Sequence, residues 1–215
     1  SITMPCKKAV IPLLDVVEPQ AAALSSVNTL IPSGGVLSGF NTDVFGMSRA
    51  IELSRRNAGM DLGGRAIVIG SGATAASALA AVISLGFREV DVVARAFSGG
   101  KLPADFNRSA MNLGVTYSGH DLTAAGTLSR CCEQADLVVS TLPSGALDPY
   151  VGELSTMPLR SSFLDVTYAP RETAAISCCL ERGIPVAFGS AATERRAADL
   201  RELVAPATPI VICSK

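Results

Sequence analysis

The chain has 215 residues, 48% of them apolar and 17% charged, with a formal net charge of −1 at pH 7. That length allows one large α/β domain, or one domain and part of another, with a sizeable core. Balanced charge without a basic run, no Trp and an aromatic content of only 5% argue against nucleic acid and anionic membrane as partners.

In chain order, residues 8–24 read as helical pieces. Ala9, Val10, Leu13 and Leu14 fall at helical spacing, and Pro19 after Glu18 opens a second helix. Residues 26–30 and 36–38 are short strand-like runs. The turn Pro32-Ser33-Gly34-Gly35 between them predicts a hairpin. Asp43 stands where a helix to about Asn57 begins, and Gly59, Gly63 and Gly64 break the chain after it. From Arg65 strands and helices alternate. Residues 66–69 form the continuous apolar run of a strand covered on both faces. Residues 73–85 are an Ala-rich helix stopped by Gly86, and 90–93 a second strand. Residues 97–112 read as irregular, 115–117 as a third strand, 122–133 as a helix and 137–140 as a fourth strand. Residues 163–166 follow as a fifth strand, 172–182 as a helix, 185–187 as a sixth strand and 191–204 as a last helix. This alternation predicts an α/β fold with a doubly wound, mainly parallel sheet.

The six cysteines, Cys6, Cys131, Cys132, Cys178, Cys179 and Cys213, include no CxxC pair, and His120 is the sole histidine. No metal-ligand spacing is present, so no metal is expected, and the cysteines read as reduced thiols of a cytoplasmic protein. The apolar stretch 73–85 is interrupted by Ser and Thr and is too short for a bilayer, so no membrane is expected. Lys7-Lys8 is followed by no long apolar region, so the sequence reads as having no signal peptide.

Gly70-Ser71-Gly72-Ala73-Thr74-Ala75 lies between the strand 66–69 and the helix 73–85, the context in which a GxGxxG/A loop binds a dinucleotide. Gly70 permits the tight turn, Gly72 lets the backbone approach a pyrophosphate, and Ala75 keeps the helix close to the strand. Thr74 and the N–H groups of residues 72–75, Ala73 included, point at the phosphates, aided by the helix dipole. Strands of this kind that bind NAD usually end in a carboxylate for the ribose hydroxyl. Here the strand ends Val93-Ala94-Arg95-Ala96. A guanidinium pairs with a 2′-phosphate, so the cofactor reads as NADP, with Arg95 as the clamp and Lys101 as a second cation.

Three segments precede the glycine loop: Ser1-Ile2-Thr3-Met4-Pro5-Cys6-Lys7, Ser26-Val27-Asn28-Thr29 and Gly39-Phe40-Asn41-Thr42-Asp43. In this order they resemble the TxPxK, (A/S)xNT and GxNTD segments of the shikimate dehydrogenase family. The likeness continues through Val92-Val93-Ala94-Arg95, Val139-Ser140-Thr141-Leu142-Pro143 and Asp165-Val166-Thr167-Tyr168-Ala169-Pro170-Arg171-Glu172-Thr173, which is similar to the family's DxxYxPxxT segment. The resemblance implies reversible NADP-dependent reduction of 3-dehydroshikimate to shikimate. It implies that Lys7 and Asp43 are the catalytic pair, and that Thr3, Asn28 and Tyr168 bind the substrate ring. It places the nicotinamide near Gly189. Quinate or an aminated shikimate analogue is the alternative substrate, and a non-catalytic NADP-binding relative the alternative of another class.

Two features depart from the family pattern. Family members carry an α/β stretch ahead of the TxPxK loop, with two serines that bind the substrate carboxylate. Residues from Ser1 onward do not include it, so the expectation is of a fragment, a processed product or a chain numbered from an internal start. Arg196 stands where the family has a Gln that contacts the ring, and reads as a solvated charge on a polar helix. The expected architecture is therefore a Rossmann-like doubly wound parallel sheet plus part of a smaller α/β substrate domain. Residues 1–43 are the partial substrate domain, 44–188 the NADP-binding domain, and 189–215 a segment packing back on the first. The expected partner is a small-molecule substrate, with the protein a monomer or homodimer.

Overall fold

The computed structural model describes residues 1–3, 5–167 and 173–188. The amino-terminal part begins with helix α1 (Cys6–Ala9) and a 3-10 turn (Ile11–Leu13). Strand β1 (Val16–Val17), helix α2 (Pro19–Leu24) and strands β2 (Thr29–Ser33) and β3 (Val36–Phe40) follow. These strands make a small sheet of order β1-β3-β2, with β1 parallel and β2 antiparallel to β3. The predicted hairpin is present. Gly34 and Gly35 form its two-residue turn, both at positive φ, which matches the twist of the flanking strands. β2 starts later than expected because the two residues before Asn28 bond elsewhere, and only from the Asn28 N–H, on the Phe40 carbonyl, does bonding to β3 begin. The Val27 N–H goes to the Lys7 carbonyl and the Ser26 N–H to the Ala21 carbonyl. β1 was not predicted; two residues carry no periodicity.

Helix α3 (Asp43–Asn57) then leads to strand β4 (Gly64–Ile69), helix α4 (Ala73–Ser84) and strand β5 (Phe87–Ala94). Helix α5 (Ala104–Asn112), strand β6 (Ser118–Asp121), helix α6 (Thr127–Cys132) and strand β7 (Leu137–Ser140) come next. Helix α7 (Val151–Leu154), strand β8 (Ser162–Asp165), helix α8 (Ala174–Glu181) and strand β9 (Val186–Phe188) complete the described elements. The six strands order β6-β5-β4-β7-β8-β9, all parallel. The connections reverse direction between β4 and β7, which opens a crevice at their carboxyl ends, where doubly wound folds bind ligands. The apolar run of β4 divides as strand geometry requires. Ala66 and Val68 enter the core shared with α3, α4 and α5, whereas Ile67 and Ile69 enter the opposite core with α6, α7 and α8. No described helix is long and apolar enough to cross a membrane.

Two local expectations fail. Within 97–112, Ala104–Asn112 is helical, with Phe106, Ser109 and Ala110 on its buried side. The third strand is Ser118–Asp121, not 115–117. The β-branched residues at 115 and 116 follow α5 directly: Gly114 takes φ +66°, its N–H bonds the Met111 carbonyl, and the Val115 N–H bonds the Ala110 carbonyl. That is a Schellman helix stop. Tyr117 packs edge-on against Phe106. The edge strand that pairs is polar Ser-Gly-His-Asp, which no hydrophobic pattern announces. The predicted helix at 191–204 lies outside the described residues.

The end of α3 is fastened to the sheet by Arg55, 4% exposed. Its guanidinium donates to the carbonyls of Asp61 and Asp136 and to Ser162 Oγ, and stacks over Phe87. Burial draws its pKa below the ordinary value, against the pull of Asp136 and Asp61. Arg55→Met is expected to destabilise the fold by about 2–4 kcal/mol, since it strands several buried acceptors. Urea unfolding checks this; a change under about 0.5 kcal/mol, the scale of an ordinary surface substitution, contradicts it.

Candidate functional site

Lys7 lies in α1 and is only 9% exposed. Its Nζ meets Asp43 Oδ2 at 2.5 Å, with the two side chains 11% and 9% exposed. Asp43 is the first residue of α3, and Asn41 Oδ1 takes its N–H at 3.0 Å. The carboxylate therefore sits both at the positive end of the α3 dipole and against the Lys7 ammonium. Removing one member of so buried a pair costs far more than an exposed ion pair would contribute.

Asn28 is wholly buried, and its Oδ1 accepts from Thr29 Oγ1, the Thr42 N–H and Thr42 Oγ1 at 2.9, 3.1 and 3.3 Å. Thr3 is exposed on the turn into α1, its carbonyl accepting the Cys6 N–H. The Ile2 N–H bonds the Asn28 carbonyl at 2.7 Å, and the Lys7 carbonyl accepts from Val27 at 2.9 Å. Thr3, Lys7, Asn28 and Asp43 are thus drawn to one end of the small sheet from three separate segments. Tyr168, Gly189 and Arg196 lie outside the described residues.

At the glycine loop the two glycines differ. Gly70 takes φ +120°, and a Cβ there would come within 2.3 Å of Thr141 Oγ1, which itself donates to the Ile69 carbonyl. Gly72, at φ −88°, would place a Cβ in open space. Nothing among the described residues demands glycine at 72, so the residue fits a ligand that comes against the backbone. Intrahelical bonding in α4 starts with the Ala76 N–H on the Gly72 carbonyl. The N–H groups of Ala73, Thr74 and Ala75 therefore point past the helix start, and no acidic residue occupies that first turn. Ala75 is fully buried against the sheet. These features suit a dinucleotide pyrophosphate. Gly70→Ala is expected to unfold at lower temperature by several degrees, whereas Gly72→Ala keeps its melting point and loses about tenfold or more in dinucleotide affinity. Calorimetry with NADP and a thermal melt separate the two; equal behaviour of the variants contradicts the assignment.

Arg95 follows β5 directly and is exposed at the start of a 3-10 segment (Arg95–Gly100). It has no ion-pair partner among the described residues. Phe97 buries itself and fixes this segment, and Gly119 on β6 makes that possible, because a Cβ there would meet the Phe97 ring at 2.5 Å. Lys101 is also exposed, just beyond the segment.

Sequence reasoning missed two residues whose hydrogen bonds hold the site's surroundings. Asp165, 4% exposed, accepts from the Thr167 N–H and Oγ1 and from Thr173 Oγ1. It thereby pins both flanks of the stretch that carries Tyr168. Asn41 is the other. Both stood in quoted motifs, but only the tertiary contacts give them work. His120, solitary in sequence, pairs with Asp91 at 2.7 Å, and Arg65 holds the other oxygen of Asp91. These groups line a polar cavity of about 400 Å³ beside α6, where the charges satisfy one another. Cys132 and Cys179 lie in the core on that side of the sheet, and burial pushes the Cys179 thiol up to about 12.

No family model matches the sequence. The shikimate dehydrogenase (NADP(+)) of Geobacter sp. (strain M21) is 33% identical over 192 residues, covering 88% of this chain and 64% of that protein. The crystal structure of Mycobacterium tuberculosis shikimate dehydrogenase is 27% identical with a TM-score of 0.79, covering 97% of this chain and 75% of the other. Quinate dehydrogenase from Corynebacterium glutamicum in complex with NAD is 26% identical with a TM-score of 0.77, covering 94% and 70%. The chain spans just under two thirds of the length of the curated relatives it matches, at 64% for the Geobacter protein. On this similarity in sequence and in fold, the chain belongs to the shikimate dehydrogenase family of oxidoreductases.

Proposed function

We propose that the protein catalyses reversible NADP-dependent reduction of 3-dehydroshikimate to shikimate. The observation that carries this reading is the buried Lys7–Asp43 pair, 2.5 Å apart, beside the segment that holds Asn28. A ketone accepting hydride develops negative charge on oxygen, and an ammonium beside that oxygen stabilises it and delivers the proton. A bound nicotinamide dinucleotide supplies the hydride. Lys7 Nζ gives its proton to the new alkoxide, and Asp43 holds the Lys7 side chain in place. Thr3, Asn28 and Tyr168 bind the ring hydroxyls. With its carbonyl oxygen engaged by three donors, Asn28 meets the ring through its amide nitrogen.

Gly70, Gly72, Ala73, Thr74 and Ala75 would hold the pyrophosphate, Arg95 would pair with the 2′-phosphate, and the family resemblance assigns Gly189 to the nicotinamide. Arg95 in place of a carboxylate favours NADP over NAD. The Geobacter relative carries NADP(+) in its name, whereas the quinate dehydrogenase structure contains NAD. Quinate is the second reading, supported by the 0.77 TM-score to that enzyme.

An oxidation assay with shikimate, quinate and an aminated analogue, each with NADP and NAD, tests the proposal. Fastest reduction of NADP with shikimate is expected. Preference for quinate replaces the substrate, and dinucleotide binding without any turnover replaces the enzyme by a binding relative.

A further inference from the structure

Asn41 is 3% exposed and stands where three segments meet. Its Nδ2 donates to the Ser26 carbonyl at 2.9 Å and to Ser77 Oγ at 3.1 Å. Its Oδ1 accepts the Asp43 N–H at 3.0 Å, and its own N–H donates to Glu18 Oε2 at 3.2 Å. The orientation of the amide follows from these partners: reversed, it would set oxygen against the Ser26 carbonyl and nitrogen against the Asp43 N–H. Ser77 passes the connection on. Its hydroxyl accepts from Asn41 and donates to the carbonyl of Ala73 at 3.3 Å. Ala73 is the first residue of α4, at the glycine loop.

An unbroken buried chain thus runs from the Asp43 backbone through Asn41 and Ser77 to the first turn of α4. We infer that Asn41 is a positioning residue, which fixes the Lys7–Asp43 pair relative to the helix start that receives the dinucleotide. The inference rests on the functional reading above. Each satisfied hydrogen bond removes a rotational freedom, and a fully satisfied buried amide holds one geometry. The two reacting groups sit on different parts of the fold, the small sheet and the doubly wound sheet. Their separation must be kept to fractions of an ångström, because a misplacement of about 1 Å can cost about a hundredfold in rate. Asn41 and its serine form a side-chain bridge across that seam that reaches the first turn of α4.

Two variants test this. Ser77→Ala cuts only the link to α4, and alanine is the best helix former, so the helix persists. Asn41→Ala removes the link and the partner of the Asp43 N–H. For Ser77→Ala, kcat is expected to fall about tenfold, with the KM for the ring substrate and the NADP dissociation constant unchanged. For Asn41→Ala, kcat falls further, and the side-chain ¹³C resonance of isotopically labelled Lys7 moves at constant pH, because its carboxylate partner is no longer held in place. Unchanged kcat in both folded variants, or an unmoved Lys7 resonance in Asn41→Ala, overturns the inference. Lys7→Ala with normal turnover would instead remove the functional reading. If the parent protein itself shows no turnover, the Lys7 resonance in Asn41→Ala decides.

Discussion

Lys7→Ala is expected to lower kcat by about 10³-fold while leaving NADP affinity within about twofold, the size of effect that a positioned general acid supplies. Lys7 is buried, and its Nζ has Asp43 at 2.5 Å. The ammonium acts on charge that appears only as hydride arrives, so its loss should reduce kcat and kcat/KM together rather than raise KM alone. The variant also leaves the Asp43 carboxylate buried without its cation, which costs stability of about 3–5 kcal/mol if the group stays ionised. Asp43→Asn separates the two effects. It preserves shape and creates no unpaired carboxylate, yet deprives Lys7 of the ion-pair partner that holds its Nζ. A folded Lys7→Ala protein with ordinary turnover would remove Lys7 from the chemistry.

Arg95→Glu is expected to weaken NADP by about 10²-fold or more and to change NAD by no more than a few-fold. A guanidinium–phosphate contact is a charge-assisted pair worth about 1.5–3 kcal/mol, and the new carboxylate adds repulsion. Arg95 is exposed and bears no ion pair among the described residues, so the change adds no buried charge. Phe97 and Gly119 hold the backbone of the turn whatever residue stands at 95. Because the site is open, the discrimination should shrink as salt is raised. Lys101→Glu should act in the same sense but more weakly. Equal loss of both cofactors in titration calorimetry would show that Arg95 does not read the 2′-phosphate.

Much of this was legible in the sequence because its signals are local. The run 66–69, the two glycines and the Ala-rich helix gave β4, the loop and α4 nearly to the residue. The turn at Gly34-Gly35 gave the hairpin, and the pattern at Asp43 gave α3. What was not legible depends on partners far along the chain. β6 is polar because an edge strand on the rim needs no apolar alternation, whereas the β-branched residues nearby belong to a helix stop. α5 was hidden by Gly99, Gly100 and Pro103 ahead of it, and its buried stripe is short. It closes the end of α2, with Ser109 and Asn112 donating to the carbonyls of Leu24 and Ala23. Asn41 and Asp165 were visible as motif letters, but their roles depend on Ser77, 36 residues on, and on Thr173, eight residues on. Gly70 and Gly72 look equivalent in a motif; only geometry separates the one the fold requires from the one whose Cβ would face open space.

The proposed reaction passes hydride directly from a nicotinamide dinucleotide to a shikimate-type ketone beside Lys7. Isotope transfer tests it most directly: the protein is incubated with NADPH deuterated at the transferring position and with 3-dehydroshikimate, and the product is analysed by mass spectrometry. Shikimate carrying the deuterium on its ring is expected, with its formation all but abolished by Lys7→Ala. Absence of shikimate, or shikimate without the label, would contradict it.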